Sequence, residues 1–444
     1  MLKKPKLSFW QILNMNVGFF GIQYSFGLQQ SAVTPIYDFL GASPDQIPLL
    51  HLAGPVTGLL VQPIIGALSD KTWSPRFGRR KPFFLIGAIL CSLTLLAFPF
   101  SSTLWMAAGL LWVLDAGNNT AMEPYRALIA DQLDGEQQPL GFQMQSFFTG
   151  LGQVLANLSL FIFPLIFIGT TGSLPTWVYA SFFLGAICSI ATILWSISKT
   201  KEIPPTEEEL AKLKSEKRSV LGPLIEIFSA IKDMPKVMWQ LALIYLFQWY
   251  ALFCYWQNSS KSVALSVWNA TPENTDAYSE AVSWTGLVNG WYNVVTFLVA
   301  FALVGFAKKY SAKKVHAFCL VIAALGFLAF PHIENKNLLF FAITGFGIGW
   351  ASMMGIPYLM VVADIPKERY GVYMGIINMM IVIPMIIQTL SFGYILKHFL
   401  NNDPRNAITF AGVLLLIATI CTLFIKTKKA IDVDDVVKPI QTGH

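Results

Sequence analysis

Long apolar segments recur along the whole chain. Each is close to the ~20 residues that an α-helix needs to cross the ~30 Å hydrocarbon core of a bilayer. Inside a bilayer every backbone polar group must be hydrogen-bonded within the protein, so such segments form helices. Only 13% of the 444 residues are charged, against the ~25% usual for soluble proteins. The pattern predicts an all-α polytopic membrane protein and excludes a large soluble core.

We predict twelve transmembrane helices in two groups of six. Their approximate boundaries are 15–40, 48–69, 82–101, 104–132, 140–169, 175–198, 236–263, 281–307, 313–331, 337–363, 369–398 and 406–426. A mixed-charge stretch with a Pro pair separates the two groups and is typical of a solvated cytoplasmic connector. The predicted division is an N-terminal six-helix half at 1–198, a linker at 199–235, a C-terminal six-helix half at 236–430 and a cytoplasmic tail at 431–444.

The basic residues predict the orientation, because Lys and Arg accumulate in cytoplasmic loops. With both termini in the cytoplasm, all but five of the 31 lysines and arginines fall on the cytoplasmic side. The exceptions are Lys261, Lys336, Lys397 and Arg405 outside, and Arg126 within a span. The net charge of +6 follows these loops, so no nucleic-acid partner is predicted. We expect a monomeric, multi-pass protein of the cell membrane, of the bacterial inner-membrane type.

The fourth predicted span carries ionisable side chains inside its apolar pattern, at Asp115, Glu123 and Arg126. Each costs from ~3 to more than ~10 kcal/mol at bilayer depth, which excludes positions that face lipid. At about 100° per residue, Arg126 lies about 20° round the helix from Asp115, and Asn119 about 40°. One broad polar face of this kind predicts a water-accessible pathway through a membrane transporter.

The acids and the base of this span predict how an ion is coupled to transport. A carboxylate in a low dielectric favours its neutral form, whereas a nearby guanidinium favours the ionised form. Movement of Arg126 relative to Asp115 is therefore predicted to couple proton release to transport. A static buried ion pair that stabilises the bundle is the alternative. Glu123 either joins the coupling or holds Arg126 or a helix end in place.

An internal repeat supports the division into halves. Residues 123–131, EPYRALIAD, align with residues 356–364, IPYLMVVAD, at the ends of the fourth span of each half. Two homologous six-helix halves with a site at their interface are the architecture of many secondary transporters. Asp115, Glu123 and Arg126 align with apolar residues of the second half. These charges are therefore assigned to coupling, and the shared Pro-Tyr and Ala-Asp pairs to the fold.

The loop after the second predicted span combines a glycine, an acid and clustered arginines, and it resembles the gating loop of the major facilitator superfamily. Its residues are Gly66, Asp70, Arg76, Gly78, Arg79 and Arg80. The resemblance implies that the acid pairs with an arginine across a helix end and holds one conformation of the transport cycle closed. Ordinary positive-inside charge is the alternative explanation.

Several segments together resemble the plant sucrose transporters and their bacterial relatives among the glycoside–pentoside–hexuronide:cation symporters. They are FGIQYSFGLQQSAVTPIY (20–37), HLAGPVTGLLVQPIIGALSD (51–70), LDAGNN (114–119) and GVYMGIINMMIVIP (371–384). The resemblance implies that Asp115 is the protonatable carboxylate and that Arg126 is its arginine. It also implies polar amides at Gln23, Gln29, Asn118 and Asn119. Glu123 departs from the plant members, which have a small residue there.

Sugar sites combine polar groups for the hydroxyls with aromatic side chains for the ring faces. Spans seven, eight and eleven of the prediction supply this mixture. The candidate contacts are Trp256, Gln257, Asn289, Asn293 and Asn378. For aromatic residues near span ends, an anchor at the membrane interface is the alternative.

Together these residues predict a secondary active transporter that imports a disaccharide or glucoside of the sucrose or maltose type with protons, by alternating access. Sodium coupling through Asp115 and Glu123 is one alternative, and an efflux antiporter for amphipathic compounds is another. Paired amides favour a hydroxyl-rich substrate over efflux. The sequence has no nucleophile–base pair, metal-ligand cluster or phosphate loop, so we predict neither an enzyme nor a cofactor or metal site.

Overall fold

The computed structural model describes residues 4–70, 72–133, 137–207, 231–361 and 370–426. The chain forms two compact units. The first comprises Met1–Ala42 and Leu50–Ile225, and the second comprises Ser43–Leu49 and Glu226–His444. Parts of three predicted features lie outside the described residues. These are most of the linker (208–230), the end of the second repeat copy with Asp364, and the tail at 431–444.

The helices before the linker follow one another through short connections. They are α1 (Phe9–Phe39), α2 (Ile47–Leu50), α3 (Ala53–Asp70), α4 (Lys81–Ala97), α5 (Leu104–Gln132), α6 (Gln138–Ile166) and α7 (Thr176–Lys199). A small antiparallel hairpin of β1 (Thr170–Thr171) and β2 (Leu174–Pro175) joins α6 to α7, which is an exception to the predicted all-α composition. Helix α1 begins earlier than predicted because Ser8 and Gln11 form a capping box at its start.

The second unit repeats the pattern of long helices. They are α8 (Lys236–Val263), α9 (Thr275–Tyr310), α10 (Ala312–Ala329), α11 (Leu339–Val361), α12 (Tyr370–Phe399) and α13 (Pro404–Phe424). Helix α8 continues into one π-helical turn, which ends where Asn269 takes a left-handed conformation with φ of +47°. Helix α13 starts after Asp403, whose side chain accepts a hydrogen bond from the backbone N–H of Arg405 at 2.8 Å.

Packing in the first unit fixes the position of α5. Helix α1 packs along α6 and α7, while α5 packs against α3 and α4. A Cβ at Gly87 on α4 would lie 2.6 Å from the carbonyl oxygen of Gly117 on α5, so glycine permits this close approach. Tyr125 on α5 is fully buried, stacks on Phe84 with a centroid distance of 4.6 Å and donates its hydroxyl to the carbonyl of Met15 on α1. The tyrosine of the repeat therefore has a structural role in this half.

The second unit has a large aromatic and aliphatic core. Helix α10 packs on α11 and α13, and α8 packs on α12 and α13. A Cβ at Gly326 would overlap the backbone of α11, which brings α10 and α11 into close contact. Tyr255 on α8 stacks on Phe327 on α10, with ring centroids 4.7 Å apart. Bulky rings thus fill the space where α8 approaches α10 and α11.

In the described ranges, nine helical segments are long and apolar enough to cross a membrane. The long helices α1, α5 and α9 are outside this group. These three helices carry most of the polar candidates from the sequence, including Gln29, Asp115 and Asn289. Polar side chains lower the hydropathy of the helices that hold a site. The count of twelve spans and the cytoplasmic location of both termini stay predictions.

Candidate functional site

Helix α5 carries the ionisable residues of the predicted polar face and is continuous through Pro124. Asp115 is fully buried, Glu123 is half-buried and Arg126 is exposed. Arg126 follows Asp115 by eleven residues, about 16 Å along the helix axis, so a shared face does not bring the two side chains together. Neither Glu123 nor Arg126 forms an ion pair with any residue that the structure describes. The buried ion pair that the sequence left as an alternative is therefore not formed.

The carboxylate of Asp115 has one bonded oxygen and one oxygen without a partner. Oδ1 accepts a hydrogen bond from Nε2 of Gln29 on α1, at 2.7 Å. Oδ2 is buried and has no hydrogen-bond partner among the described residues, and the same is true of Oε1 of Gln29. A buried polar atom without a partner costs about 1–3 kcal/mol. An O–H group, either a proton on the carboxyl or a hydroxyl of a ligand, would satisfy these oxygens.

Small residues of α3 leave space beside this carboxylate. A Cβ at Gly54 would lie 3.7 Å from Oδ2 of Asp115 and 3.8 Å from Nε2 of Gln29. Thr57, one turn further along, donates to the carbonyl of Gly54 at 3.2 Å and accepts from Nδ2 of Asn119 at 3.1 Å. The sequence reasoning missed Gly54 and Thr57. Their spacing on one face of the second predicted span was the available signal.

The two amides that follow Asp115 are bonded to neighbouring helices. Nδ2 of Asn118 donates to Oγ of Ser25 on α1 at 3.0 Å, and its Oδ1 accepts from Sγ of Cys91 on α4 at 3.1 Å. Oδ1 of Asn119 accepts from Nε2 of Gln62 on α3 at 2.6 Å. Both amides, predicted as sugar contacts, therefore tie α5 to three other helices of its unit. This network fixes the position of the buried carboxyl.

Gln23, the other predicted amide of α1, contacts α6. It is buried, and its Oε1 accepts from Nε2 of Gln153 at 3.2 Å. Nearby, Oδ1 of Asn157 accepts from the hydroxyl of Ser31 at 2.7 Å. No residue of α6 was among the candidates from the sequence. Gln153 and Asn157, four residues apart on one helical face, were the signal that could have indicated it.

Arg80 makes a salt bridge between the predicted gating loop and α5. Its Nε donates to Oδ2 of Asp131 at the end of α5, at 2.7 Å, and its Nη1 donates to Oγ of Ser69 at 2.6 Å. Asp131 is the acid that the internal repeat shares between its two copies. The ion pair therefore joins the loop to α5, and its acid comes from the repeat motif.

Gly66 and Arg76 of the predicted loop take no part in the salt bridge of Arg80. Gly66 lies beside α5, where a Cβ would be 3.6 Å from Cγ of Glu123. Arg76 is exposed, and its guanidinium lies 5.4 Å from the ring centroid of Phe77. The side chain of Asp70 lies outside the described residues, so the predicted pairing of this acid stays a prediction.

Glu202, in the predicted linker, binds the same loop. Its carboxylate accepts hydrogen bonds from the backbone N–H groups of Arg79, Arg80 and Lys81, at 2.7 to 3.1 Å. Gly78 has φ of +79°, and a Cβ there would lie 2.6 Å from Oε1 of Glu202, so the loop requires glycine. Glu202 is buried. The start of the linker is therefore packed against α4, and the prediction of a solvated connector is wrong at this residue.

The predicted sugar contacts of the second unit are mostly buried and bonded within that unit. On α8, Oε1 of Gln257 accepts from Nε2 of Gln388 on α12 at 2.9 Å. On α9, Oδ1 of Asn289 accepts from the hydroxyl of Tyr255 at 2.8 Å, and Nδ2 of Asn293 donates to the carbonyl of Asn289 at 2.9 Å. The structure thus brings Gln257 together with Gln388, which the sequence reasoning did not select.

Trp256 and Asn378 complete the predicted set. Trp256 is partly buried, and its ring centroid lies 5.6 Å from that of Trp350 on α11. Asn378 on α12 is exposed. Trp350 was not a candidate, because a single aromatic residue within an apolar span gives no signal that separates a site from a core.

The chain is similar to known proteins along most of its length. The family model described as Major Facilitator Superfamily matches residues 15–389 and 260–438. The chain is 22% identical to sucrose transport protein SUT5 of Oryza sativa subsp. indica, over 91% of this chain and 85% of that protein. It is 24% identical to sucrose transport protein SUC4 of Arabidopsis thaliana, over 84% of this chain and 81% of that protein.

The chain also shares its fold with solved transporter structures, of which two serve as examples. The nucleoside transporter NupG has a TM-score of 0.67 and 15% identity, over 93% of this chain and 100% of that chain. A D-xylose-proton symporter has a TM-score of 0.64 and 14% identity, over 93% of this chain and 97% of that chain. At these identities the likeness is one of fold.

Proposed function

We propose that this chain, which belongs to the Major Facilitator Superfamily and is a membrane transporter, not an enzyme, imports a sugar of the sucrose or maltose type together with protons. The observation that carries the proposal is the buried carboxyl of Asp115. One of its oxygens holds Gln29, and the other has no partner among the described residues. The relatives of the chain include sucrose transport proteins, which favours a sugar as substrate.

The chemistry of a buried carboxyl favours a proton as the coupling ion. An ion removed from water without a partner carries a penalty of several kcal/mol. A proton on Oδ2 of Asp115 removes the negative charge, while Oδ1 keeps the hydrogen bond from Gln29. In the proposed cycle the proton binds to Oδ2 when the site is open to the outside. It leaves when the site opens to the cytoplasm.

The hydrogen-bonded pair of Asp115 and Gln29 links the proton to the substrate. Oε1 of Gln29, the residue that donates to the carboxyl, is a second acceptor without a partner in the described part of the chain. A sugar hydroxyl can donate to Oε1 of Gln29 and accept from the protonated Oδ2 of Asp115, and Gly54 leaves room beside Oδ2 for it. A sugar bound against the acid would make sugar binding depend on its protonation, which symport requires.

Glu123 and Arg126 are proposed to act on the exit of the proton. They lie toward the end of α5 that the sequence predicts to face the cytoplasm, and neither has an ion-pair partner among the described residues. The half-buried Glu123 offers a proton acceptor on the exit side, and the exposed Arg126 offers a positive charge there. In this role Arg126 favours release of the proton from α5 without forming an ion pair with Asp115.

The test is uptake of radiolabelled sucrose and maltose into energised, right-side-out membrane vesicles, with and without a proton uncoupler. We expect the uncoupler to abolish accumulation by the wild type. We expect Asp115→Asn to lose accumulation and to keep sugar exchange. Uptake that ignores the uncoupler and requires sodium would assign the unpartnered oxygens to a sodium ion. Uptake of neither sugar, with extrusion of amphipathic dyes, would favour an efflux antiporter.

A further inference from the structure

Two exposed tryptophans are joined where α1 begins and α7 ends. Trp10 on α1 is 68% exposed, and Trp195 on α7 is 49% exposed. Asn14 connects them, because its Oδ1 accepts from Nε1 of Trp195 at 2.8 Å and its Nδ2 donates to the carbonyl of Trp10 at 2.8 Å. The Trp195 ring is therefore fixed by α1, while about half of its side chain stays open to the surroundings.

Helices α1 and α7 run antiparallel here, which places the two rings at one end of the first unit. The hydroxyl of Ser196 donates to the carbonyl of Asn14 at 2.9 Å. Further along α1, a Cβ at Gly21 would lie 2.8 Å from Cα of Ser189, so the two chains run in opposite directions. One helical turn before Asn14, Trp10 therefore lies level with the last turn of α7.

The surroundings of the two rings are basic. Nζ of Lys199, in the last turn of α7, lies 5.2 Å from the ring centroid of Trp195, which is a cation–π distance. Lys6, shortly before α1, is exposed. The segments that form this end, 4–14 and 195–201, contain four lysines and neither aspartate nor glutamate. This part of the surface is therefore positively charged.

The chemistry of this surface defines a partner. Indole rings at the end of a membrane span lie at the level where lipid headgroups meet acyl chains. Lysines at this level attract anionic lipids, and each contributes about fivefold in affinity. A zwitterionic lipid has no net charge to match them. Glu202, the first acid after α7, is buried against the loop before α4, so it takes no part in this surface.

We propose that this surface binds an anionic phospholipid. It consists of Lys6, Trp10, Trp195 and Lys199. The lysines hold the phosphate of the headgroup, and the two indole rings pack along the glycerol and the first methylene groups of the acyl chains. The lipid belongs to the leaflet at this end of the helices, which the sequence predicts to be the cytoplasmic one. The proposal is independent of which solute the protein carries.

The test is quenching of Trp195 fluorescence by brominated lipids. The full-length chain is reconstituted into phosphatidylcholine vesicles that contain a small fraction of either dibrominated phosphatidylglycerol or dibrominated phosphatidylcholine. Bromine quenches the indoles that it contacts, and the difference between the wild type and Trp195→Phe isolates this ring. We expect phosphatidylglycerol to be enriched at least about fivefold over phosphatidylcholine at Trp195. Lys6→Gln combined with Lys199→Gln should abolish this preference.

Trp105 provides the matched control. It is 72% exposed near the start of α5, and the segment 101–112 around it contains no charged residue. The difference between the wild type and Trp105→Phe should show equal quenching by the two brominated lipids. The same preference at Trp105 would indicate general enrichment of phosphatidylglycerol around the protein and would overturn the site.

The other outcomes also decide the question. Equal quenching of Trp195 by the two lipids would overturn the proposal and leave the tryptophans as ordinary interfacial anchors. A preference that survives in the double lysine variant would overturn the role of the lysines. If inorganic phosphate removes the preference at an ionic strength where sodium chloride leaves it, the lysines bind free phosphate and not a lipid. If Trp195→Phe does not fold, Trp10→Phe isolates the other ring and gives the same comparison.

Discussion

Replacement of Asp115 by asparagine separates proton coupling from sugar binding. The variant keeps the shape of the side chain and the acceptor that binds Gln29, but it has no group that takes a proton. The atom in place of Oδ2 becomes an amide nitrogen at a position without a partner among the described residues. The wild-type oxygen is likewise without a partner among the described residues, so the variant exchanges one unpaired polar atom for another, and we expect a folded protein of similar stability.

The size of the transport defect follows from one titratable carboxyl. One elementary charge moved through about 100 mV is worth about 2.3 kcal/mol, and about 1.4 kcal/mol is a factor of ten. One proton per sugar therefore supports an accumulation of about 50-fold at that potential. Without the carboxyl of Asp115, sugar should reach equal concentrations on the two sides.

The assay uses proteoliposomes in which a potassium gradient and valinomycin set the membrane potential. Internal and external labelled sucrose are measured at steady state, and exchange is measured separately without a gradient. Asp403→Asn, which changes an acid outside the predicted spans, is the matched control and should accumulate sugar like the wild type. An accumulation of about 50-fold by Asp115→Asn would refute the assignment of the proton to this residue. Loss of exchange as well would refute the separation of coupling from binding.

Three other substitutions test space, packing and capping. Gly54→Ala brings a Cβ to 3.7 Å from Oδ2 of Asp115. The KM for sugar uptake should therefore rise at unchanged expression. An unaltered KM would contradict access of the sugar to this carboxyl through the space at Gly54. Glu202→Gln weakens the charge-assisted hydrogen bonds at the start of α4. The Tm of the purified protein should therefore fall. An unchanged Tm would show that the charge of Glu202 contributes nothing to stability. Asp403→Ala removes the N-cap of α13 and should destabilise the protein by about 0.5–2 kcal/mol. Asp403→Asn keeps a capping side chain and should destabilise it less. Equal destabilisation by the two variants would count against a capping role. Partial burial raises the pKa of Asp403, but hydrogen bonds from Arg405 outweigh it and hold the pKa below 3.8. The stabilisation that the ionised Asp403 gives to the folded state is therefore present at neutral pH and is lost as the pH falls below 3.8. A series of Tm measurements in acid would detect this loss.

The fold class could be predicted from consecutive residues, because a bilayer imposes a local rule. A segment in hydrocarbon must be apolar and must satisfy its own backbone, so each span is visible without knowledge of its neighbours. The match of the Major Facilitator Superfamily model over most of the chain confirms the predicted superfamily. The first residue of a helix was harder to predict from the hydropathy pattern. Helix α1 begins at Phe9 through a capping box, and local hydropathy does not register that contact.

The candidate site could be predicted only in part. Asp115 was found because an acid within an apolar span has few explanations. Periodicity also gave its angle relative to Arg126, but the distance along the axis separates the two side chains. Gln29 was selected from the family resemblance. Its hydrogen bond to Asp115 and the space at Gly54 appear only when α1 and α3 pack on α5.

The sequence by itself determined a helical membrane transporter with an acid inside one helix. Only the tertiary structure decided what that acid and the other polar groups contact. Glu202 is buried against the start of α4, and Gln388 orients Gln257, although nothing in the local pattern of either residue indicates these partners. The physical reason is that burial in a membrane is a property of one segment, whereas a hydrogen bond requires two atoms from distant segments at one distance and angle.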